Sequence, residues 1–142
     1  MLVTIPNSHR DLFENPVHGV VVTMMPDGFP QSSNLWVDYD GKYVLINTTL
    51  ERQKGRNMQA NPKVTVLVID PRNSSRWIEV RGRVKALTQV EAECHADKLT
   101  RQYCPGKHHF YWDIYPPEQK QKETRVIAKI EPIKVSLDAI FK

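Results

Sequence analysis

The sequence has few cysteines and no long apolar run, and each shortage narrows what the protein can be. Its two cysteines, Cys94 and Cys104, fall on or just after one predicted helix without a CxxC spacing, so neither a disulfide framework nor a zinc site is indicated. Both read as reduced, structural residues. No apolar run approaches the roughly 20 residues that a membrane-spanning helix needs. The opening MLVTIPNSHRD lacks the charged and apolar blocks of a signal peptide, so the expected location is cytoplasmic, with no membrane partner. Internal repeats and low-complexity segments are missing too. So is any Ser/His/Asp or paired-carboxylate grouping, which leaves no candidate general acid or base. The adjacent His108 and His109 point different ways on any regular backbone, and His18 has no second ligand at a metal spacing; no metal site is expected. The acids Glu79, Glu51 and Asp38 interrupt any basic stripe, which argues against nucleic-acid binding through stacking on Trp36, Trp77 and Tyr111.

What remains is an ordinary globular composition: 142 residues, 40% hydrophobic and 25% charged, with a net charge of +4 and a pI near 9.1. That length is one domain, residues 1–142, long enough to bury a core unaided. Ser8 with Asp11 three residues on reads as the cap of a short helix that Leu12 and Phe13 pin to the core. Strands are expected at 18–25, 31–38, 43–46, 64–69, 76–87 and 124–137. The stretch 64–69 is apolar on both faces, as for a covered central strand. Gly82 in the middle of 76–87 marks a bend or bulge, and Pro132 confines the last strand to an edge or a bulge. Thr88 and Glu91 form a capping box for a helix whose Ala92, Ala96, Leu99 and Tyr103 recur on one side. The aromatic segment 107–123 is expected as a short helix or flap on something apolar. The pattern is mainly β, a six-stranded antiparallel barrel with a few short helices.

The most informative stretch is YVLINTTLERQKGRNMQANPKVTVLVID, at 43–70. It places Arg52, Lys54 and Arg56 at a helix start, where unpaired backbone N–H groups already make the potential positive. Cations repel that end, so an anion such as a phosphate is the simplest missing partner, although the same spacing fits a solvated face. The helix should stop at Asn61-Pro62.

The order of strand, Asn47-Thr48-Thr49, Gln53-Lys54-Gly55-Arg56, Asn61-Pro62 and strand resembles the flavin-phosphate segment of the pyridoxamine 5′-phosphate oxidase-like split-barrel family. The short chain and the spacing of Lys54 and Asn57 resemble its small deazaflavin-dependent branch. The resemblance covers about Val17 to Leu137 and implies a split barrel, a homodimer with the cofactor between subunits, and coenzyme F420 or FMN as the cofactor. It implies hydride transfer with a small-molecule substrate. Lys54 falls on the lysine that contacts the cofactor phosphate; Gln53 stands where the oxidases have arginine, so Arg52 supplies the missing charge. Asn47 and Thr48 fall beside the phosphate and ribityl chain, and Thr49 and Gly55 complete the segment. Ser33, Asn34, Leu35 and Trp36 fall where the family's backbone meets the ring. Trp77 stands where the oxidases have glutamine, and either walls the cofactor or simply packs at the strand start. Nothing after Leu137 resembles the oxidases' closing segment, so oxidation of pyridoxamine phosphate is not expected. Two other uses of such a barrel stay open: a cofactor carrier without chemistry, and haem binding through His18, His108 or His109.

Overall fold

A computed structural model describes residues 3–138. Seven strands make one curled antiparallel sheet: β1 (His18–Met24), β2 (Pro30–Trp36), β3 (Asp38–Tyr39), β4 (Val44–Thr49), β5 (Lys63–Ile69), β6 (Trp77–Thr88) and β7 (Arg125–Leu137). Their spatial order is β2-β1-β5-β6-β7-β4-β3. The expectation of six strands is corrected by one. The chain leaves β2 at Trp36 and re-enters the sheet on the other edge as the two-residue β3, so what reads as one strand at 31–38 serves both edges. Alternation along a single run could not reveal that break, because Val37 between the two pieces is fully buried like any core position.

The curl has an identifiable cause. At Gly82 a side chain has no room: a Cβ would lie 2.5 Å from Ile130 Cγ2 and 2.8 Å from the Glu131 carbonyl oxygen. The β6–β7 register slips there, with Gly82 opposite Pro132 and Arg81 opposite Lys134, and the long strands bend together. Pro132 therefore sits at a bulge inside the sheet, where its missing N–H costs no ladder bond. The concave side holds the main core, with Val21, Val66, Val68, Ile78, Val80, Val44, Ile46 and Ile130 fully buried. Leu12 and Phe13 of α1 (Asp11–Glu14) join that core. Among the helices, α2 (Gln53–Ala60) follows β4 and adds Met58 to the same core, and α3 (Ala92–Tyr103) follows β6.

Three local expectations need correction. Strand β5 is central but covered on one face only: Val64, Val66 and Val68 are buried, whereas Thr65 and Leu67 are half-buried and Ile69 is 44% exposed. Ser8 lies inside a 3-10 turn, Asn7–His9, and its hydroxyl meets His9 Nδ1 at 2.8 Å instead of capping a helix. Asp11 is drawn to Arg76, which also holds Asp70, so the first helix is tied to the β5–β6 loop by charge. The capping box at Thr88 and Glu91 does not form, because β6 continues through Thr88, paired with Ile127. The helix then starts one turn later, after Glu91 in a left-handed conformation, φ 62°. No helix among the described residues is long and apolar enough to cross a membrane. Cys94 is exposed and Cys104 half-buried, and both are free thiols.

Candidate active site

A cleft of about 320 Å³ opens between β1–β2, the end of β4, the start of α2, helix α3 and the aromatic segment before β7. Part of the lining is apolar: Leu35, Trp36, Leu99, Phe110, Ile114 and Tyr115, with His18 beside them. Trp36 stacks on Tyr103 with ring centroids 5.3 Å apart and an 18° tilt, and Phe110 meets Trp36 edge-on at 6.3 Å. Tyr103 is fixed in turn: its hydroxyl accepts from the Val37 N–H at 3.1 Å and lies 2.9 Å from the Val17 carbonyl oxygen. Burial pushes that phenol's pKa up. Such a rigid aromatic wall suits a flat ring.

The same lining carries three cations, Arg52, Lys54 and Arg125. Lys54, on the first turn of α2, has no ion-pair or hydrogen-bond partner among the described residues. Its pKa is held below the usual lysine range by burial and by the nearby charges of Arg52 and Arg125. Arg52, at the N-cap position, lies over the Tyr115 ring at 5.4 Å. Arg125 lies over Phe110 at 4.2 Å. Its guanidinium donates to Tyr111 Oη at 3.0 Å, Asn47 Oδ1 at 2.8 Å and Glu123 Oε1 at 2.9 Å. Burial would raise the Glu123 pKa, but the bonds from Tyr111 and Arg125 outweigh it and hold the carboxyl below its ordinary range. No carboxylate lines the cleft among the described residues. A half-buried lysine beside two arginines, with no acid facing it, is a site for an anion.

The sequence-predicted residues divide on this geometry. Asn34, Leu35, Trp36, Asn47, Arg52 and Lys54 line the cleft together. Ser33, Thr48, Thr49, Gln53, Gly55, Arg56 and Trp77 do not. Thr48 is buried with its hydroxyl unpartnered, and Thr49 Oγ1 accepts from the Arg52 N–H at 3.3 Å, so both support the cleft from behind. Gly55 is a packing glycine: a Cβ would stand 1.9 Å from the Thr49 carbonyl oxygen, so only glycine lets α2 sit so close to β4. Gln53 Nε2 donates to the buried Asn57 Oδ1 at 2.8 Å. Asn57 in turn reaches Thr23 Oγ1 at 3.0 Å, which makes it a packing partner of the barrel. Arg56 is exposed and donates to the Glu51 backbone carbonyl and to Gln53 Oε1, outside the cleft lining. Trp77 stands at the start of β6 opposite Ile69, its backbone N–H donating to Asp138 Oδ1 at 3.1 Å.

Sequence reasoning missed His18, Ala96, Leu99, Phe110, Ile114, Tyr115 and Arg125 as lining residues. The aromatic density of 110–115 was a usable signal for the flap. This segment is a five-residue turn, Phe110–Ile114, with Phe110 and Tyr111 buried and Trp112 at φ 105°. His108 and His109 are exposed at its start, and both backbone N–H groups donate to Asp113 Oδ2. Arg125 carried no signal, since it reads as one polar position in an alternating strand.

A family model described as pyridoxamine 5′-phosphate oxidase matches residues 5–137. The curated pyridoxine/pyridoxamine 5′-phosphate oxidase of Rhodopseudomonas palustris is 34% identical over 88 residues, which are 61% of this chain and 41% of that protein. The one from Gluconobacter oxydans is 33% identical over 82 residues, 57% of this chain and 40% of that protein. The chain thus spans well under half the length of these curated relatives. Among solved structures, one described as an F420 reductase is 34% identical with a TM-score of 0.79, and the match covers 93% of this chain and 98% of that one. General Stress Protein 26 of Bacillus anthracis, at 17% identity and a TM-score of 0.60 over 91% of this chain and 89% of its own, shares the fold.

Proposed function

The chain belongs to the pyridoxamine 5′-phosphate oxidase family, and from that premise we propose that it is an oxidoreductase that holds a flavin-type cofactor in the cleft, coenzyme F420 in first place and FMN in second. The observation that carries the reading is one cleft that sets an aromatic wall beside Lys54, Arg52 and Arg125, with no carboxylate in its lining among the described residues. A redox ring with a phosphorylated tail combines the two matching chemistries. Lys54 and Arg52 would bind the phosphate, with Arg125 beside them. The backbone of Asn34–Trp36 would meet the ring edge, with Ser33 next to it. Thr48, Thr49, Gln53 and Gly55 keep a supporting role, which revises the expectation that they touch the cofactor.

Such a cofactor supplies hydride transfer, and the protein contributes position and charge. The F420 reductase likeness favours the deazaflavin, because it extends over nearly the whole of both chains, whereas the curated oxidases match in part. Their substrate is therefore not carried over. Arg52 in the cleft and the exposed Arg56 beside it would meet a long anionic tail. The proposal includes a homodimer. In its favour, apolar side chains on β5 and β7 are left uncovered, with Ile69 at 44% and Ile133 at 51% exposure. Native mass spectrometry of the purified protein, with and without added FMN or coenzyme F420, reads cofactor mass and subunit count together. A dimer carrying one of the two supports the reading; a protein that takes up neither refutes it.

A further inference from the structure

Asn47 was expected beside the cofactor tail, but its amide is largely committed within the protein. Its Oδ1 accepts from Arg125 Nη1 at 2.8 Å. Its Nδ2 donates to the Ala92 carbonyl at 2.8 Å and lies 3.0 Å from His95 Nδ1. A guanidinium can only donate, so the amide oxygen must face Arg125, and its NH2 must face His95. His95 Nδ1 is therefore an acceptor. The other ring nitrogen, Nε2, lies 3.0 Å from Asp38 Oδ2. An ionised carboxylate can only accept, so Nε2 carries the hydrogen. The line Arg125, Asn47, His95, Asp38 thus has one direction, every donor pointing away from the cleft, fixed by an obligate donor at one end and an obligate acceptor at the other.

The acceptor end is itself anchored. Lys98 Nζ donates to Asp38 Oδ2 at 2.8 Å, and the Tyr39 N–H donates to Oδ1 at 2.9 Å. His95 is 8% exposed and lies outside the cleft, on the far side of Asn47. A buried polar line of this kind is kept only if each member is satisfied, and the group it satisfies at the cleft is Arg125. We propose that His95 is the positioning residue that aims the Arg125 guanidinium at the cleft, acting through Asn47. Without an acceptor at Nδ1 the amide NH2 is held by the Ala92 carbonyl alone, and the oxygen it presents to Arg125 is fixed on one side only. The guanidinium then keeps Glu123 and Tyr111 and loses the firm third contact that sets its direction. The inference rests on the reading of the three cleft cations as a phosphate site.

Two variants separate positioning from bulk. His95→Leu fills the space with no acceptor. His95→Asn restores an acceptor where Nδ1 stood while leaving Asp38 to Lys98 and Tyr39. Affinity for FMN and for riboflavin, which has the ring without the phosphate, is measured on each, with the side-chain N–H signals of Arg125 followed by NMR in the protein without ligand. The expected result is that His95→Leu weakens FMN binding about tenfold, roughly the loss of one charged hydrogen bond, and leaves riboflavin unchanged. The same variant should broaden the Arg125 signals, and His95→Asn should recover both. Unaltered Arg125 signals and FMN affinity in His95→Leu would overturn the proposal. So would equal losses of FMN and riboflavin in both variants, which would mark a general packing defect. If the unaltered protein binds neither FMN nor coenzyme F420, the phosphate reading fails by itself, and the Arg125 signals still decide whether His95 positions that side chain.

Discussion

Replacing Lys54 by methionine keeps most of the side chain's length, one atom shorter, and removes the ammonium charge with its hydrogen-bond donors. In the free protein that charge is unpaired, partly desolvated, and repelled by Arg52 and Arg125. Its folded-state pKa lies below the unfolded value of about 10.4, so between the two the unfolded chain binds more protons. Charged Lys54 therefore opposes folding at neutral pH, and stability rises as pH climbs through that window. Lys54→Met should leave the free protein as stable as before or more stable, and flatten that alkaline rise. In the complex the sign reverses, because the ammonium then meets a phosphate. Losing one charge-assisted hydrogen bond costs about 1.5–3 kcal/mol, which is about 10- to 150-fold in FMN affinity, with riboflavin affinity unchanged. Titration calorimetry with the two ligands, beside thermal unfolding without either, reads all three quantities. Unchanged FMN affinity, or a destabilised free protein with both ligands weakened alike, would refute the assignment.

Arg56→Ala should leave FMN affinity within about twofold, since that guanidinium is bound to Glu51 and Gln53 outside the cleft; a loss as large as that of Lys54→Met would contradict the geometry. Gly55→Ala should destabilise the fold by about 1–3 kcal/mol in urea unfolding, because its Cβ would meet backbone at Thr49; unchanged stability would show that α2 sits further from β4. For Asp38, burial would raise the pKa, but the bonds from His95, Lys98 and the Tyr39 N–H lower it to about 2. Its contribution should be present above pH about 4 and lost as pH falls toward 2. Asp38→Asn should remove that part of the acid unfolding profile, and an unaltered profile would show that the carboxylate has no such bonds in solution.

The parts of this fold that were legible in the sequence depend on local signals. Pro62 does end α2, Gly82 and Pro132 do mark the bulge, and Ala92, Ala96 and Leu99 do face inward from α3. The failures arose where tertiary pairing overrode a local motif. Thr88 and Glu91 have the spacing of a capping box, but ten ladder partners between β6 and β7 hold Thr88 in the sheet. Trp36 and Tyr39 lie three residues apart and belong to opposite edges, a fact that no alternation pattern contains.

In the cleft, Lys54 and Arg52 were legible because cations at a helix start are out of place. Arg125 and His95 were not, because their partners Asn47 and Asp38 are 78 and 57 residues away in the chain. Gly55 and Arg56 misled in the opposite sense. Both belong to the basic motif, yet one serves helix packing and the other faces outward.

The most direct test is a crystal structure of the protein grown with saturating FMN and, separately, with coenzyme F420. The account predicts a phosphate within about 2.7–2.9 Å of the Lys54 ammonium in at least one of them, Arg52 and Arg125 beside it, and the ring lying along Leu35 and Trp36. Both ligands seated elsewhere, or water alone around Lys54 in both crystals, would contradict it.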